Sequence, residues 1–488
     1  MNITMQKKNI LVKYIFLILA SFLFAFTGLH FISFLVPWIS IIFFIYYFRG
    51  QNTWYEYIII LILLFLPKFF IVHKGWDMSI ILELSATLFT MIPLIASLLV
   101  DKYFHKKTNV IISTLVFPAT YIIADLLIGL SAFGTFSSIA ISQFDFKPLI
   151  QIASVAGLGG ISFMVFWFSS TIATLWKSHF NLQKEKTLVN IFVSVFVGIL
   201  LISGIYYAVS IPTGTTVKVA GITIEHNTDY SAIIDANTPR EEINKQASAI
   251  SNINEQLFAQ SKKAADFGAK IIFWSEIDWI LYPENEQAFL KRAQDFSRAN
   301  NVYFAPAVLS FKYDSQYAEN KIIMINPKWE IVYEYEKTIS RYPTKSDGII
   351  HTIQTPYGKI ATVICFDADF PKFVRSIAKQ NIDILLIPKF DTPRISPGHT
   401  YSSSLRWVEG GFSVVNQVNL GTSIATDYRG NILAYQDFAT TKDKIIVADI
   451  PTKGRKTLYA LFGDWFIYLN VLFLCWLAVA WIKKRIKK

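Results

Sequence analysis

Hydrophobic residues are concentrated in eight long segments of this chain, seven before residue 210 and one near the C-terminal end. The segments cover residues 10–28, 31–48, 57–72, 80–100, 110–130, 155–176, 188–209 and 465–482. Each is close to the ~20 residues that a helix needs to cross the hydrocarbon core of a bilayer. The pattern therefore predicts about eight transmembrane helices, of which the third is interrupted by Pro67 and Lys68.

The lysines and arginines of the short loops predict how these helices are oriented, because cytoplasmic loops carry an excess of them. With the N-terminus inside, the outer loops hold only Lys74 and Lys147, with Lys68 near that face. We therefore expect a membrane domain over residues 1–210, an extracytoplasmic domain over 215–455, a last span over 465–482, and a basic cytoplasmic tail, 483–488. Both termini would be cytoplasmic.

Between the two apolar regions, strand and helix patterns alternate along the chain. Strands are predicted over residues 217–224, 270–274, 302–308, 359–365 and 382–388, helices over 239–267, 285–299 and 370–380, and a hairpin over 321–335. Such alternation is typical of α/β domains.

Composition excludes some classes of function. The chain is 53% hydrophobic and carries a formal net charge of +11, but its basic residues lie mostly at the ends of apolar segments, which favours a membrane and not nucleic acid. Its two cysteines, Cys365 and Cys475, do not form a disulfide framework, since Cys475 lies in the last apolar segment. His226, His351 and His399 show no ligand spacing, so no metal is predicted.

Three polar residues follow predicted strands, where sites form in open α/β sheets. Glu276 follows KIIFWS, Lys337 follows IVYEYE and Cys365 ends KIATVIC. A cysteine beside a helix N-terminus has a lowered pKa, a carboxylate can take its proton, and a lysine can stabilise an oxyanion. Taken singly, each residue also fits an ordinary interpretation as a surface acid, a solvated lysine or a core thiol.

The central domain resembles the nitrilase, or carbon–nitrogen hydrolase, superfamily. The resemblance rests on the ordered motifs KIIFWSE, NPKWEIVYEYEKT, TPYGKIATVICFDADFP, NIDILLIP, RWVEGGFSVVNQVNLGTS and DYRGNIL. It implies an α-β-β-α sandwich with Glu276 as general base, Lys337 as oxyanion stabiliser and Cys365 as nucleophile. The backbone N–H of Phe366 would be a second oxyanion donor, and Asp367 would support the site.

With its membrane segments, the chain resembles the bacterial apolipoprotein N-acyltransferases. The stretch FGTFSSIAISQFDFKPLIQIASVAGLGGISFMV is similar to that family, and Asp125 stands where the family places an acid. The resemblance implies acyl transfer from a phospholipid, through a Cys thioester, to the α-amino group of a diacylglyceryl-modified lipoprotein. It also implies the bacterial cytoplasmic (inner) membrane as the location, no cofactor, and a monomer. The donor headgroup and chain length stay open.

Two departures from that family keep other functions open. Phe366-Asp367 replaces the family's Tyr-Glu after the cysteine, and TISRYPTKSDGI after Lys337 contains no glutamate. Either Asp347 substitutes for that supporting glutamate or the support is missing. The alternatives are a membrane-anchored extracytoplasmic amidase with the same triad, and a non-catalytic scaffold.

Further residues have two interpretations each. Glu83 and Asp125 lie within apolar segments and are either functional or structural. The apolar run of residues 279–282 (WILY), with Trp279 and Tyr282 as substrate-channel candidates, is either a membrane-facing arm or a packed loop. Residues 391–400 are predicted to form a lid, and Arg406 and Glu409 a structural pair.

Overall fold

A computed structural model of the chain describes residues 3–27, 33–75, 79–131, 134–135, 138–212, 214–225, 247–312, 318–340 and 344–486. The chain divides into two compact units. One contains Met1–Ser210 and Thr457–Lys488, and the other contains Ile211–Lys456.

The first unit is helical. Its helices are α1 (Ile3–Phe24), α2 (Val36–Gly50), α3 (Trp54–Gly75), α4 (Ile80–Phe104), α5 (Val110–Gly129), α6 (Lys147–Ile150), α7 (Ala153–Lys177) and α8 (Lys186–Val209), with α14 (Leu458–Phe462) and α15 (Trp465–Ile486) near the C-terminus. Six of them, α3, α4, α5, α7, α8 and α15, are long and apolar enough to cross a membrane. The first two predicted spans correspond to shorter apolar helices, Leu11–Phe24 and Val36–Gly50. The multi-pass membrane domain is thus confirmed, with about six full-length candidate spans among the described residues.

A buried arginine joins four of these helices. The Arg49 guanidinium, at the end of α2, donates to both carboxylate oxygens of Asp101 in α4, at 2.7 and 2.8 Å. It also donates to the hydroxyls of Ser170 and Thr174 in α7 and, at 3.5 Å, to the carbonyl of Ser113 in α5. Because a buried charge is tolerated only when it is paired and hydrogen-bonded, this network explains how the cation fits in an apolar bundle.

The two acids within apolar segments also have hydrogen-bond partners. Glu83 lies 2.9 Å from Nδ1 of His73, and Asp125 accepts a hydrogen bond of 2.7 Å from Ser138. Both contacts join separate segments of the membrane unit. The structure therefore favours the structural interpretation of these two acids.

The second unit contains two β-sheets. Its strands are β1 (Thr216–Ile222), β2 (Ile271–Trp274), β3 (Trp279–Leu281), β4 (Tyr303–Ala305), β5 (Ala307–Ser310), β6 (Glu319–Ile325), β7 (Ile331–Glu336), β8 (Thr352–Thr355), β9 (Gly358–Thr362), β10 (Ile384–Phe390), β11 (Ser413–Asn419), β12 (Thr422–Thr426), β13 (Ile432–Asp437) and β14 (Ile445–Pro451). The first sheet has the order β14-β1-β2-β4-β6-β5-β3, with β7 paired to β6, and the second has the order β13-β12-β11-β10-β9-β8.

The sheets face each other, with helices outside. Strand β1 contacts β11 across the interface between the sheets, and β2 contacts β10. All of β2 and β11 and most of β1 and β10 are buried, as expected for strands that are covered on both faces. Helices α9 (Ala247–Asp266) and α10 (Pro283–Asn300) cover the first sheet, and α12 (Gly398–Ser404) contacts the second. Helices α11 (Pro371–Lys379) and α13 (Arg406–Gly410) contact each other on that side. This arrangement confirms the α-β-β-α sandwich.

Several predicted boundaries differ from the structure. The strand predicted over 302–308 is two strands separated by Pro306, which has no N–H to donate to a ladder. The strand predicted over 359–365 ends at Thr362, and a 3-10 helix, Cys365–Asp369, follows. Part of the predicted helix 239–267, residues 239–246, lies outside the described residues, as does His226.

Candidate active site

Three strands bring the predicted catalytic residues together. Glu276 lies two residues after β2, Lys337 directly follows β7, and Cys365 lies three residues after β9. The first two belong to one sheet and the third to the other. The candidate site therefore lies between the sheets of the sandwich.

Glu276 is held by three donors. Its Oε1 accepts hydrogen bonds from Lys337 Nζ at 2.6 Å and Asn320 Nδ2 at 2.8 Å, and its Oε2 accepts one from the backbone N–H of Phe390 at 2.9 Å. The residue is only 1% exposed. A carboxylate that accepts three hydrogen bonds is fixed in orientation, as a general base must be.

Lys337 stays charged although it is buried. Burial alone would lower the pKa of its ammonium group, but the charge that Cys365 acquires on ionisation and the charge of Glu276 raise that pKa above its ordinary value. A permanent ammonium group next to the candidate nucleophile can stabilise an oxyanion that forms there.

The backbone at the candidate nucleophile is strained. Cys365 has φ +48°, and Ile277, directly after Glu276, has φ +64°. Non-glycine residues in this left-handed region cost on the order of 1–3 kcal/mol, and such residues cluster at functional sites. The sharp turn at Cys365 places its sulfur 4.0 Å from the carbonyl oxygen of Phe390, whose N–H holds Glu276.

The prediction that a helix N-terminus lowers the pKa of Cys365 is wrong. Burial and the nearby charge of Glu276 raise the pKa of the thiol well above its ordinary value, although Lys337 opposes them. The helix is a five-residue 3-10 helix and the cysteine is only 6% exposed, so desolvation dominates. Because the thiol is protonated at rest, it has to lose its proton during attack. The neighbouring carboxylate of Glu276 is the group that can accept that proton.

Asp367 holds the segment that follows Lys337. Its carboxylate accepts hydrogen bonds from the Tyr335 hydroxyl at 2.7 Å and from the backbone N–H groups of Ile339 at 2.7 Å and Thr338 at 3.3 Å. Burial raises its pKa to about 6, although these donors and Lys337 oppose the rise. The backbone N–H of its neighbour Phe366 lies in the first turn of the 3-10 helix, where a helix leaves donors unpaired.

The position of Asp347 does not fit the hypothesis that it replaces a supporting glutamate near Lys337. Its side chain is exposed and accepts a hydrogen bond of 2.8 Å from the N–H of Ile349, two residues along the chain. The Lys337 ammonium group donates its hydrogen bond to Glu276 instead. The geometry therefore does not support Asp347 as a replacement for the family's supporting glutamate.

Trp279 and Tyr282 lie in and directly after β3 and are buried. Trp279 stacks on Trp274 with ring centroids 5.7 Å apart, and Tyr282 stacks on Phe311 at 5.6 Å. Both belong to the hydrophobic core beneath α9 and α10. This placement agrees with a packed segment and not with a membrane-facing arm. Arg406 and Glu409 form the predicted pair, with 2.7 Å between Nη1 and Oε2.

A second group of buried charges lies beside Cys365 and was not predicted from the sequence. His399 Nδ1 lies 2.6 Å from Asp391 Oδ1, and its Nε2 lies 2.7 Å from Asp369 Oδ2. Burial lowers the pKa of this histidine, but the two carboxylates outweigh it and raise the pKa to about 9. The segment 391–400 was predicted to form a lid, and its first and last residues, Asp391 and Thr400, are both buried.

Three potential metal ligands lie within 4.8 Å of one another, as in some metal sites. They are the sulfur of Cys365, a carboxylate oxygen of Asp391 and an imidazole nitrogen of His399. Both nitrogens of His399 face carboxylates at hydrogen-bond distance, however. An imidazolium that donates from both nitrogens has no lone pair for a metal. These residues therefore fit a proton-bearing array better than a metal site.

Asp278 links the two sheets near the site. Its Oδ1 accepts hydrogen bonds from Thr223, after β1, and from Asn419, at the end of β11, at 3.1 and 2.8 Å. Burial raises the pKa of Asp278 to about 7, although hydrogen bonds from Ser275, Thr223 and Asn419 oppose the rise.

Comparison with known proteins agrees with this architecture. The family model described as carbon–nitrogen hydrolase matches residues 232–458. An amidase from Nesterenkonia sp. matches with a TM-score of 0.38 and 12% identity, over 53% of this chain and 97% of that one. The family model thus covers most of the second unit, which matches a carbon–nitrogen hydrolase domain.

Two curated relatives are similar to this chain, and the first of them matches over nearly its whole length, including the membrane unit. The apolipoprotein N-acyltransferase of Thermotoga maritima is 22% identical over 93% of this chain and 91% of its own length. That of Gloeobacter violaceus is 32% identical, over 24% of this chain and 23% of its own length. Over nearly its whole length the chain is thus similar to a curated apolipoprotein N-acyltransferase, and with its apolar helices it is a bacterial membrane protein.

Proposed function

We propose that the protein transfers a fatty acyl chain from a phospholipid to the α-amino group of the lipidated N-terminal cysteine of lipoproteins. The observation that carries this proposal is the ion pair of Glu276 and Lys337 beside Cys365, in a chain that also has apolar helices of membrane-spanning length. A thiol nucleophile tethered to a membrane suits the transfer of an acyl chain whose donor and acceptor both lie in the membrane.

In the first half-reaction, Cys365 Sγ attacks the carbonyl carbon of a phospholipid ester. Glu276 takes the thiol proton, and the Lys337 ammonium group and the Phe366 N–H stabilise the oxyanion of the tetrahedral intermediate. The carbon–oxygen bond then breaks, and Glu276 returns the proton to the departing lysophospholipid oxygen. A thioester on Cys365 remains.

In the second half-reaction, the neutral α-amino group of the acceptor attacks the thioester carbonyl. The carbon–nitrogen bond forms and the carbon–sulfur bond breaks. Glu276 accepts a proton from the amine and delivers it to the sulfur, which restores the thiol. The transfer is favourable because a thioester is activated relative to an amide.

The proposal includes a topology in which the second unit is extracytoplasmic and both termini are cytoplasmic. It rests on the asymmetry of lysine and arginine between the short loops, since only Lys74 and Lys147 lie in the outer ones. With this topology, the domain is on the side of the membrane where exported lipoproteins arrive.

A reconstituted transfer assay tests the proposal. Purified protein, phospholipid vesicles and a synthetic peptide with a diacylglyceryl-modified N-terminal cysteine should yield an N-acylated peptide and a lysophospholipid in equal amounts. Cys475→Ser, which changes the other cysteine, in helix α15, should leave the yield unchanged. Lysophospholipid with free fatty acid and no acylated peptide would contradict the proposal.

The second candidate is an amidase with the same triad. The observation that favours it is the environment of Lys337, whose ammonium group donates to Glu276 in the part of the chain that the structure describes, while Asp347 is exposed. An amidase would release ammonia or an amine when Cys365 attacks a small amide, and water would then hydrolyse the thioester to a carboxylic acid and the free thiol. Such release without transfer to the lipopeptide would establish this alternative.

A further inference from the structure

Cys365 has buried charges on two sides. On one side lie Glu276 and Lys337, which the proposed chemistry uses. On the other lie Asp391 and His399, with a carboxylate oxygen and an imidazole nitrogen within 4.8 Å of the sulfur. The proposed acyl transfer assigns no role to this second group.

The imidazole of His399 connects the nucleophile's own segment to another part of the fold. Asp369, whose Oδ2 faces Nε2, is the last residue of the 3-10 helix that begins at Cys365. Asp391, whose Oδ1 faces Nδ1, directly follows β10. The histidine itself belongs to α12. Three segments therefore meet at one ring, beside the sulfur.

The charges of the array need the proton on the ring. Asp369 and Asp391 are 0% and 1% exposed, so two carboxylates without a cation between them would be costly to bury. Asp391 also disfavours the Cys365 thiolate by charge repulsion. A protonated ring offsets that repulsion and pulls the carboxylate toward itself.

We propose that His399 is a positioning residue whose imidazolium, held between Asp369 and Asp391, fixes the turn at Cys365 and offsets the negative charge beside its sulfur. The inference rests on the proposed function in that Cys365 is taken as the nucleophile. It concerns the reactivity of the thiol and not the identity of the acyl donor or acceptor.

The charged and titratable groups that face the ring come from each neighbouring element. They are Asp369 and Cys365 from the 3-10 helix, Asp391 from the segment after β10, and Lys389 from β10. Lys389 is fully buried and donates to the Ser403 hydroxyl at 2.6 Å and to the His399 carbonyl at 3.3 Å. With the pKa of His399 at about 9, the ring stays protonated at neutral pH, because raising the pH through that value is what removes its proton.

The reactivity of the thiol tests the inference without any substrate. The rate of Cys365 alkylation by iodoacetamide is measured at pH 7.5 by peptide mass spectrometry on the full-length protein in detergent. His399→Gln should slow alkylation about tenfold, as a thiol pKa one unit higher would. The double variant Asp391→Asn/His399→Gln should recover most of the rate, because it removes the unbalanced negative charge as well.

A merely structural role predicts the opposite order. If His399 only holds the fold, the alkylation rate of the double variant should differ from the native rate by at least as much as that of the single variant does. That result would overturn the inference. Unchanged alkylation in a folded His399→Gln variant would also overturn it. His351→Gln is the matched control, since that ring stacks on Tyr333 at 5.8 Å and should leave the rate unchanged.

A third variant keeps the test decisive if His399→Gln does not fold. Asp391→Asn leaves the ring paired with Asp369 and removes a negative charge beside the sulfur, so alkylation should be several-fold faster than in the native protein. Slower alkylation in this variant would overturn the inference. Because alkylation needs no lipid, a failure of acyl transfer with these rates as expected would remove the proposed function alone.

Discussion

Lys337 Nζ lies 2.6 Å from Glu276 Oε1, although the two residues are 61 positions apart in the sequence. Each residue follows the end of a strand, and the two strands lie in the same sheet. Both side chains are largely buried, with Lys337 15% exposed and Glu276 2% exposed. The candidate base and the candidate oxyanion donor are therefore one ion pair. A change to either residue leaves an uncompensated charge beside the nucleophile.

Lys337→Met should lose activity at least about a hundredfold, because it removes an oxyanion donor. It should also lower the thermal stability, since breaking a buried pair typically costs about 3–5 kcal/mol. Turnover in the transfer assay and a thermal melt measure the two effects. Lys345→Met is the control, because that lysine is 65% exposed and lies 4.0 Å from Glu319. Near-native turnover in a folded Lys337→Met variant would exclude this lysine from the chemistry.

Glu276→Gln should slow the first half-reaction strongly while phospholipid still binds. Glutamine cannot accept the thiol proton as a carboxylate does. In addition, the carboxylate now accepts hydrogen bonds from Lys337, Asn320 and Phe390, and the NH₂ group of a glutamine would face one of these donors without being able to accept its hydrogen bond. Rapid-quench measurement of lysophospholipid release, beside a lipid-binding assay, separates the two effects. Loss of binding with unchanged release per bound lipid would assign Glu276 to binding instead.

The candidate catalytic residues could be chosen from the sequence because strand patterns end directly before them. Glu276, Lys337 and Cys365 each follow a run of β-branched and aromatic residues, and the order of these motifs is specific to one superfamily. The class of the fold followed from the same alternation. The four strands β11–β14 were not predicted, because their runs lack a clear period and lie among polar residues.

The array around His399 could not be predicted from the sequence. Asp369 and His399 are 30 positions apart, and their contact depends on the turn of the 3-10 helix and on the path of the segment after β10. Spacing rules find ligand pairs on one helix or strand and not such meetings of loops. The raised pKa of Cys365 was missed for a similar reason, since burial is a property of the assembled domain.

Asp278 should make the stability of the protein depend on pH. Its folded-state pKa of about 7 exceeds the value near 3.9 of an unfolded aspartate, so the folded state binds more protons between these values. Its contribution is therefore fully present below about pH 4 and is lost as pH rises through about 7, by on the order of 4 kcal/mol at most.

Thermal melts of the native protein and of Asp278→Asn between pH 5 and 8 measure this contribution. The stability difference between the two proteins should shift in favour of the variant as pH rises, because asparagine does not titrate. A difference that stays constant across this range would show that Asp278 does not titrate there.

Reporter fusions test the topology of the membrane unit. Alkaline phosphatase fused after residue 300, in the second unit, should be active, since that enzyme matures only outside the cytoplasm. A fusion after residue 182, between α7 and α8, should be inactive, because Lys177, Lys184 and Lys186 predict a cytoplasmic loop there. The reverse pattern would show that the domain is cytoplasmic.

The most direct test is mass spectrometry of the protein after incubation with a phospholipid of defined chain length. The proposed mechanism predicts that the peptide containing Cys365 gains the mass of that acyl chain, that hydroxylamine removes it, and that the lipopeptide acceptor also removes it and becomes N-acylated. The peptide containing Cys475 should stay unmodified. An unmodified Cys365 during turnover, or an acyl group that water removes while the acceptor does not, would contradict the account.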